Sequence, residues 1–245
     1  MKVVKVDAIS STNSFLKAFV KTHSEKQMYC VVAHHQVAGR GQRGTAWESE
    51  AGKNLTFSVY LPGLKSIHKE TFKLSALVAL AVKKVLTVYD MPKLAIKWPN
   101  DILSRQYKIG GILIENIFTQ GREGASIVGI GLNVNQTSFS NLPKASSMRI
   151  LSGNSFNLEA LLDDILVEFE KLPALFNESS YRQVISEYYA ALYKYNKVTM
   201  LQFPDGSLAQ GLIRGVDSYG RLSVEFEEDR LEAFDIKEIQ IKFSE

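Results

Sequence analysis

Apolar and polar positions alternate with a period of two in some stretches and recur every three to four residues in others, which predicts a mixed α and β protein. Residues 3–9 read as a strand. Ser10-Ser11-Thr12-Asn13 then offers capping side chains ahead of a helical stripe through Phe15, Leu16, Phe19 and Val20. Residues 29–36 and 54–61 read as strands, and the segment 37–53 between them exceeds the usual connection of about 4–6 residues. Residues 69–88 carry a helical pattern that is almost wholly apolar over 74–82, as expected of a helix covered by a sheet. Short strands follow at 94–97 and 102–103. Longer ones at 108–118 and 126–135 flank Thr119-Gln120-Gly121-Arg122-Glu123-Gly124, a hairpin-like connection that implies antiparallel neighbours rather than a doubly wound parallel sheet.

Asn157 is placed to cap a helix whose core stripe is Leu158, Leu161, Leu162, Ile165, Leu166 and Phe169, and a second helix spans 181–193. After Asn196 the pattern changes to short alternating strands at 198–203, 209–216, 222–226 and 231–234. Turns at Pro204-Asp205-Gly206 and Ser218-Tyr219-Gly220 separate the first three of these, as in a small β-barrel. The boundary is expected near residue 195, giving units 1–195 and 196–245.

With 45% hydrophobic and 22% charged residues over 245 positions, the composition is that of a soluble globular protein. The chain shows no apolar run of bilayer length and no secretory leader, so the expected location is cytoplasmic, without membrane association. The lone Cys30 reads as a small buried hydrophobe, and His34 and His35 fall on opposite faces of their strand, where they do not share a metal. A net charge of +3 is too small to indicate nucleic-acid binding. The distribution is uneven, however: residues 197–245 hold 6 Lys/Arg against 10 Asp/Glu, leaving 23 against 16 in the rest. The basic body suits an anionic ligand or an acidic partner.

Gly39-Arg40-Gly41-Gln42-Arg43-Gly44 is the most informative stretch. Glycine allows close backbone approach, and guanidinium offers a fork of donors for phosphate or carboxylate. Four other segments accompany it: Ser11-Thr12-Asn13, Lys97-Trp98-Pro99-Asn100-Asp101, Lys108-Ile109-Gly110-Gly111-Ile112-Leu113-Ile114-Glu115 and Gly129-Ile130-Gly131-Leu132-Asn133-Val134-Asn135. Singly, these read as a helix cap, a turn, a strand start beside a bulge and a glycine-bearing edge strand.

In this combination and order the chain resembles the biotin protein ligases, also called biotin–[acetyl-CoA-carboxylase] ligases, over its whole length. The resemblance implies an α+β fold: a mixed, largely antiparallel sheet flanked by helices, similar to class II aminoacyl-tRNA synthetases and lipoate ligases, plus a C-terminal SH3-like barrel. It implies a monofunctional enzyme without the N-terminal DNA-binding domain of some relatives. Biotin and ATP would form biotinyl-5′-adenylate, with Mg²⁺ on the phosphates, and biotin would pass to a lysine of a biotin carboxyl carrier protein. The resemblance also allows a homodimer.

By the same resemblance Lys108 bridges carboxylate and α-phosphate, and Arg40 and Arg43 contact biotin or phosphates. Ser11, Thr12, Asn13 and Gln36 meet the biotin rings, with Gly39 in the adjoining loop and the backbone at Gly110, Gly111, Ile112, Gly129 and Gly131 forming pocket walls. Trp47, Asn54, Asn100 and Asn133 lie towards the nucleotide. Lys97 contacts phosphate or positions the incoming lysine, and Asp101 orients that amine or holds Mg²⁺. Gln42 departs from the family pattern, where many bacterial relatives carry arginine, so looser retention of the adenylate is expected. A lipoate ligase or octanoyltransferase and a non-catalytic biotin sensor are the alternatives.

Overall fold

The computed structural model describes residues 1–118, 124–139 and 142–242, apart from the side chain of Arg43. Alternating side chains build strands β1 (Lys2–Ile9), β2 (Tyr29–Gln36), β3 (Leu55–Leu64), β4 (Leu94–Lys97), β5 (Asp101–Ser104), β6 (Tyr107–Ile117) and β7 (Gly124–Leu132). Among the described residues they form one sheet in the order β1-β2-β3-β7-β6-β5-β4. β1 and β2 run parallel, and every other neighbouring pair is antiparallel. The mixed, largely antiparallel sheet expected from the sequence is thus present. β7 lies between β3 and β6, so the glycines at 129 and 131 sit inside the sheet rather than on an edge.

Each face of the sheet is covered by helices whose apolar spacing matches it. On one face lies α1 (Thr12–Phe19), where Leu16 and the following Val20 pack on Val31, Tyr60 and Ile127. Leu16 is fully buried, and its truncation to alanine would cost about 2–5 kcal/mol. The opposite face, with Phe57, Val59, Val128 and Ile130, is covered by α2 (Thr71–Val88) together with helices α4 (Leu158–Phe169), α5 (Leu172–Glu178) and α6 (Tyr181–Ala191), which follow the short α3 (Met148–Ser152). Neither α3 nor α5 is foreseen in the sequence, since five and seven residues are too short to show a stripe. The caps differ in an informative way. Asn157 Oδ1 accepts from the amides of Glu159 and Ala160, as expected. Ser11 occupies the N-cap position of α1 but its side chain makes no capping bond.

Five strands follow: β8 (Val198–Gln202), β9 (Leu208–Val216), β10 (Leu222–Glu225), β11 (Leu231–Phe234) and β12 (Gln240–Ile241). They pair antiparallel in the order β11-β10-β9-β8-β12, with the two-residue β12 added to the elements expected from sequence. This second sheet is bonded to the first body. Trp98 Nε1 donates to Gly220 O at 2.9 Å, and Tyr189 Oη donates to Val216 O at 2.7 Å while accepting from Val216 N at 3.1 Å. Within residues 119–124, the expected hairpin connection lies outside the described residues except for Gly124, although β6 and β7 pair as predicted.

Candidate active site

On the α1 face, the register of the central strands creates a depression. Gly111 pairs with Gly131, which pairs in turn with Thr56, and Leu113 pairs with Gly129, which pairs with Ser58. Three of these six positions lack a side chain, so the sheet surface is open where its neighbours are filled. A Cβ on Gly131 would lie 2.3 Å from Trp47 Cε2, and one on Gly129 would lie 2.3 Å from Asn13 Oδ1. Glycine at both positions is therefore what admits the indole and the amide. A cavity of about 270 Å³ results, lined by Ser11, Thr12, Asn13, Gln36, Arg40 and Trp47 on one side and by Asn100, Asp101, Lys108, Gly111, Ile112, Gly129 and Gly131 on the other.

A bulge decides where Lys108 points. Ile102 pairs with Gly110 but Leu103 pairs with Lys108, so Ile109 is the extra residue. One extra residue inverts the alternation beyond it, which brings Lys108 to the same face as Gly111 while Ile109 stays in the core. Lys108 Nζ then sits 2.6 Å from Asp101 Oδ1 and 5.7 Å from the centre of the Trp47 ring. Nearby Lys97 is buried, and burial lowers its pKa; the Asp101 charge opposes that fall and the Lys108 charge adds to it.

The glycine-arginine segment folds back on itself as a small hairpin. Arg40 bridges Ala46, Gly41 N donates to Thr45 O at 2.6 Å, and Trp47 N donates to Gly39 O at 2.9 Å, around a 3-10 turn at Gln42–Gly44. This hairpin carries Arg40 and Trp47 over the cavity. Gln42 lines the cavity as well.

A continuous polar chain runs from the hairpin to the cavity floor. Arg40 Nη2 lies 3.2 Å from Glu115 Oε2, which also accepts from Asn13 Nδ2 at 2.8 Å. Ser58 Oγ is 2.6 Å from Asn13 Oδ1 and 2.7 Å from Thr12 Oγ1, and Gln36 Oε1 accepts from the Thr12 amide at 2.7 Å and its hydroxyl at 3.0 Å. Thr12 and Asn13, two of the residues expected to cap α1, are thus spent on the cavity instead.

A second hollow of about 330 Å³ adjoins the first, sharing Ala46, Trp47, Asp101 and Lys108 and adding Lys97, Asn133, Phe139 and Leu142. Two buried polar atoms here, Trp47 Nε1 and Asn133 Oδ1, have no hydrogen-bond partner among the described residues. Buried atoms of this kind are costly unless something else satisfies them.

Three expected residues line neither hollow, while Lys97 and Asn133 line only the second. Asn54 is buried, bonded to Gln136 Oε1 and to the Val134 amide, where it braces the chain after β7. Gly110 points away from the cavity, against Leu132 and Ile102, and Gly39 lies beneath the hairpin against Trp47 O. The side chain of Arg43 lies outside the described residues. Conversely, sequence reasoning missed Glu115, which bonds Arg40 and Asn13, as well as Phe139, Leu142 and the pair Ile236 and Lys237, which reach the first cavity from the segment between β11 and β12. Only Glu115 carried a signal, since Gly111, Leu113 and Glu115 share one face of β6 by their spacing of two.

Residues 6–135 match the family model described as the biotin/lipoate A/B protein ligase family. The chain is 35% identical over 169 residues to the bifunctional ligase/repressor BirA of Bacillus spizizenii, covering 67% of this chain and 51% of that protein. It therefore spans about half the length of that relative. It is 28% identical over 218 residues to the biotin--[acetyl-CoA-carboxylase] ligase of Mycobacterium tuberculosis, covering 88% of this chain and 80% of that one. Among solved structures, the biotin protein ligase from Aquifex aeolicus in complex with biotin and ATP superposes with a TM-score of 0.79 at 22% identity, covering 99% of each chain. The chain shares that fold.

Proposed function

Because the chain belongs to the biotin/lipoate A/B protein ligase family, we propose that it is a biotin protein ligase. It activates biotin with ATP to biotinyl-5′-adenylate and pyrophosphate, then transfers biotin to a specific lysine of a biotin carboxyl carrier protein in the cytoplasm. The observation that carries this reading is the meeting of Arg40 and Lys108 at one small cavity that opens into a second hollow beside Lys108. The relative in Mycobacterium tuberculosis, a biotin--[acetyl-CoA-carboxylase] ligase matched over 88% of this chain, favours biotin over lipoate or octanoate.

In the first step a carboxylate oxygen of biotin attacks the α-phosphorus and expels pyrophosphate. Two anions have to meet, so the site must supply fixed positive charge where water is excluded. Lys108, standing between the two hollows, bridges the carboxylate and the α-phosphate, with Arg40 as the second cation. Biotin is an uncharged fused ring with a polar edge, and Ser11, Thr12, Asn13 and Gln36 face it while Gly129 and Gly131 let it lie close to the sheet. Trp47 Nε1 and Asn133 Oδ1 are available to the nucleotide.

In the second step the carrier lysine's amine attacks the acyl carbonyl and expels AMP, with Lys97 and Asp101 beside the reacting centre. Among the described residues no three metal-ligating side chains cluster, and Mg²⁺ is commonly held by one or two carboxylates plus substrate phosphates. Asp101 fits that role once Lys108 turns to ligand, and the ion would neutralise phosphate charge. Residues 1–195 form the catalytic unit in this reading, and residues 196–245 contribute Ile236 and Lys237 to its rim.

The test is incubation with ATP, Mg²⁺ and a purified carrier domain, with biotin, lipoate or octanoate supplied separately. Biotin-dependent pyrophosphate release and a biotin-sized mass increase on the carrier are expected. Modification by lipoate or octanoate alone would move the chain to the other branch of the family, and tight biotin binding without pyrophosphate release would make it a sensor.

A further inference from the structure

We propose that Glu115 is a positioning residue that holds Arg40 in reserve, standing in for the carboxylate of the ligand until the ligand arrives. The inference rests on the function proposed above and adds a residue to it. Glu115 follows Gly111 and Leu113 on the cavity side of β6, and its Oε2 receives both Arg40 Nη2 at 3.2 Å and Asn13 Nδ2 at 2.8 Å. The two contacts differ in kind. Asn13 is buried and fixed by Ser58, so it anchors the carboxylate from the floor. Arg40 is the more exposed member of its pair: its side chain is 47% exposed and touches Glu115 through one nitrogen, not as a bidentate fork.

A guanidinium held by a single, half-exposed contact is loosely retained, whereas an incoming carboxylate can offer it a two-pronged bond. Exchange of partner then costs little, and Glu115 stays behind because Asn13 holds it. While Arg40 remains paired, Glu115 cancels its charge in the empty cavity. Glu115 thereby sets how strongly the site prefers an anionic ligand over a neutral one of the same shape. It also joins Arg40 to the floor residues that meet the ring.

The experiment compares biotin with biotinol, in which the carboxylate is replaced by a primary alcohol, by calorimetric titration of the wild-type protein and Glu115→Gln. Glutamine retains an oxygen for Asn13 but loses the charge that holds Arg40. Biotin should bind Glu115→Gln roughly two- to fivefold tighter, the scale of one screened ion pair, with biotinol unchanged. Arg40→Ala should weaken biotin and spare biotinol, and Arg40→Ala/Glu115→Gln should bind biotin as Arg40→Ala does. Unchanged or weaker biotin binding in Glu115→Gln would overturn the proposal, and so would parallel shifts for both ligands, which would mean that Glu115 acts only through the floor. Failure of the wild-type protein to bind either ligand would instead overturn the functional reading.

Discussion

Lys108 Nζ and Asp101 Oδ1 lie 2.6 Å apart, on neighbouring strands whose bulge is what brings them to the same face. Arg40 has its own carboxylate in Glu115. Each described cation of the cavity that was expected to bind the reactants is thus paired with an acid of the chain. The arrangement stores positive charge without leaving it unbalanced, and anionic reactants compete with those acids rather than entering an open cationic pocket.

Replacing Lys108 should show this most directly. Lys108→Ala removes the cationic partner of Asp101 at the place where, on the proposed function, two anions approach. Biotin-dependent ATP–pyrophosphate exchange should fall on the order of 10²–10³-fold, as for loss of one preorganised donor, while the melting temperature changes little because Lys108 is about one-third exposed. Exchange within threefold of wild type would remove Lys108 from the chemistry.

Gly131→Ala tests the seat of Trp47. The added methyl would lie 2.3 Å from the indole, so the ring must move, and overpacking of this kind costs about 1–3 kcal/mol. Biotin and ATP binding should both weaken and the tryptophan fluorescence should shift. An unchanged spectrum with normal binding would show that the indole has another place to go.

Lys97 makes a prediction about pH. Burial lowers its pKa below the ordinary lysine value of 10.5, with Asp101 opposing and Lys108 reinforcing the shift. The protonated form is thus penalised in the folded state at low pH, and that penalty disappears as pH rises from the folded pKa to 10.5. If the charged form serves adenylation, pyrophosphate exchange should decline on the alkaline side before an ordinary lysine would titrate. Lys97→Arg should carry that decline to higher pH; superimposable profiles for the two proteins would count against the assignment.

Residues 37–53 should gain protection from amide exchange when biotin and ATP bind. The hairpin is held by few cross-strand bonds, Gly41 to Thr45 and Trp47 to Gly39 among them, and such segments open locally at small cost. Ligand bonded to Arg40 and packed under Trp47 would hold it shut. Equal exchange with and without ligand would show that the hairpin does not respond.

Strand and helix identity was legible in the sequence wherever a period ran long enough, as in α2, α4 and the strands of the central sheet. Positions that depend on register were not. Ile109 looks like any strand residue, yet its insertion decides which face Lys108 occupies. Likewise Asn54 and Trp47 sit in one polar, glycine-bearing stretch, and only tertiary packing turns the first towards Gln136 and the second over Gly131. Arg40 and Glu115 are 75 residues apart, so no local pattern announces their contact. The capping motif at Ser11-Thr12-Asn13 failed for a similar reason: the side chains of Thr12 and Asn13 bond to Ser58 and Gln36, from two different strands, and the Thr12 amide donates to Gln36 Oε1 rather than to a local cap.

The bond from the Trp98 indole to Gly220 gives the C-terminal strands a bearing on the turn that separates Lys97 from Asp101. With Tyr189 gripping Val216 beside it, those strands act as a buttress for that turn. A chain cut after residue 195 would retain Arg40, Lys97 and Lys108 and still lose the support that keeps the turn in place.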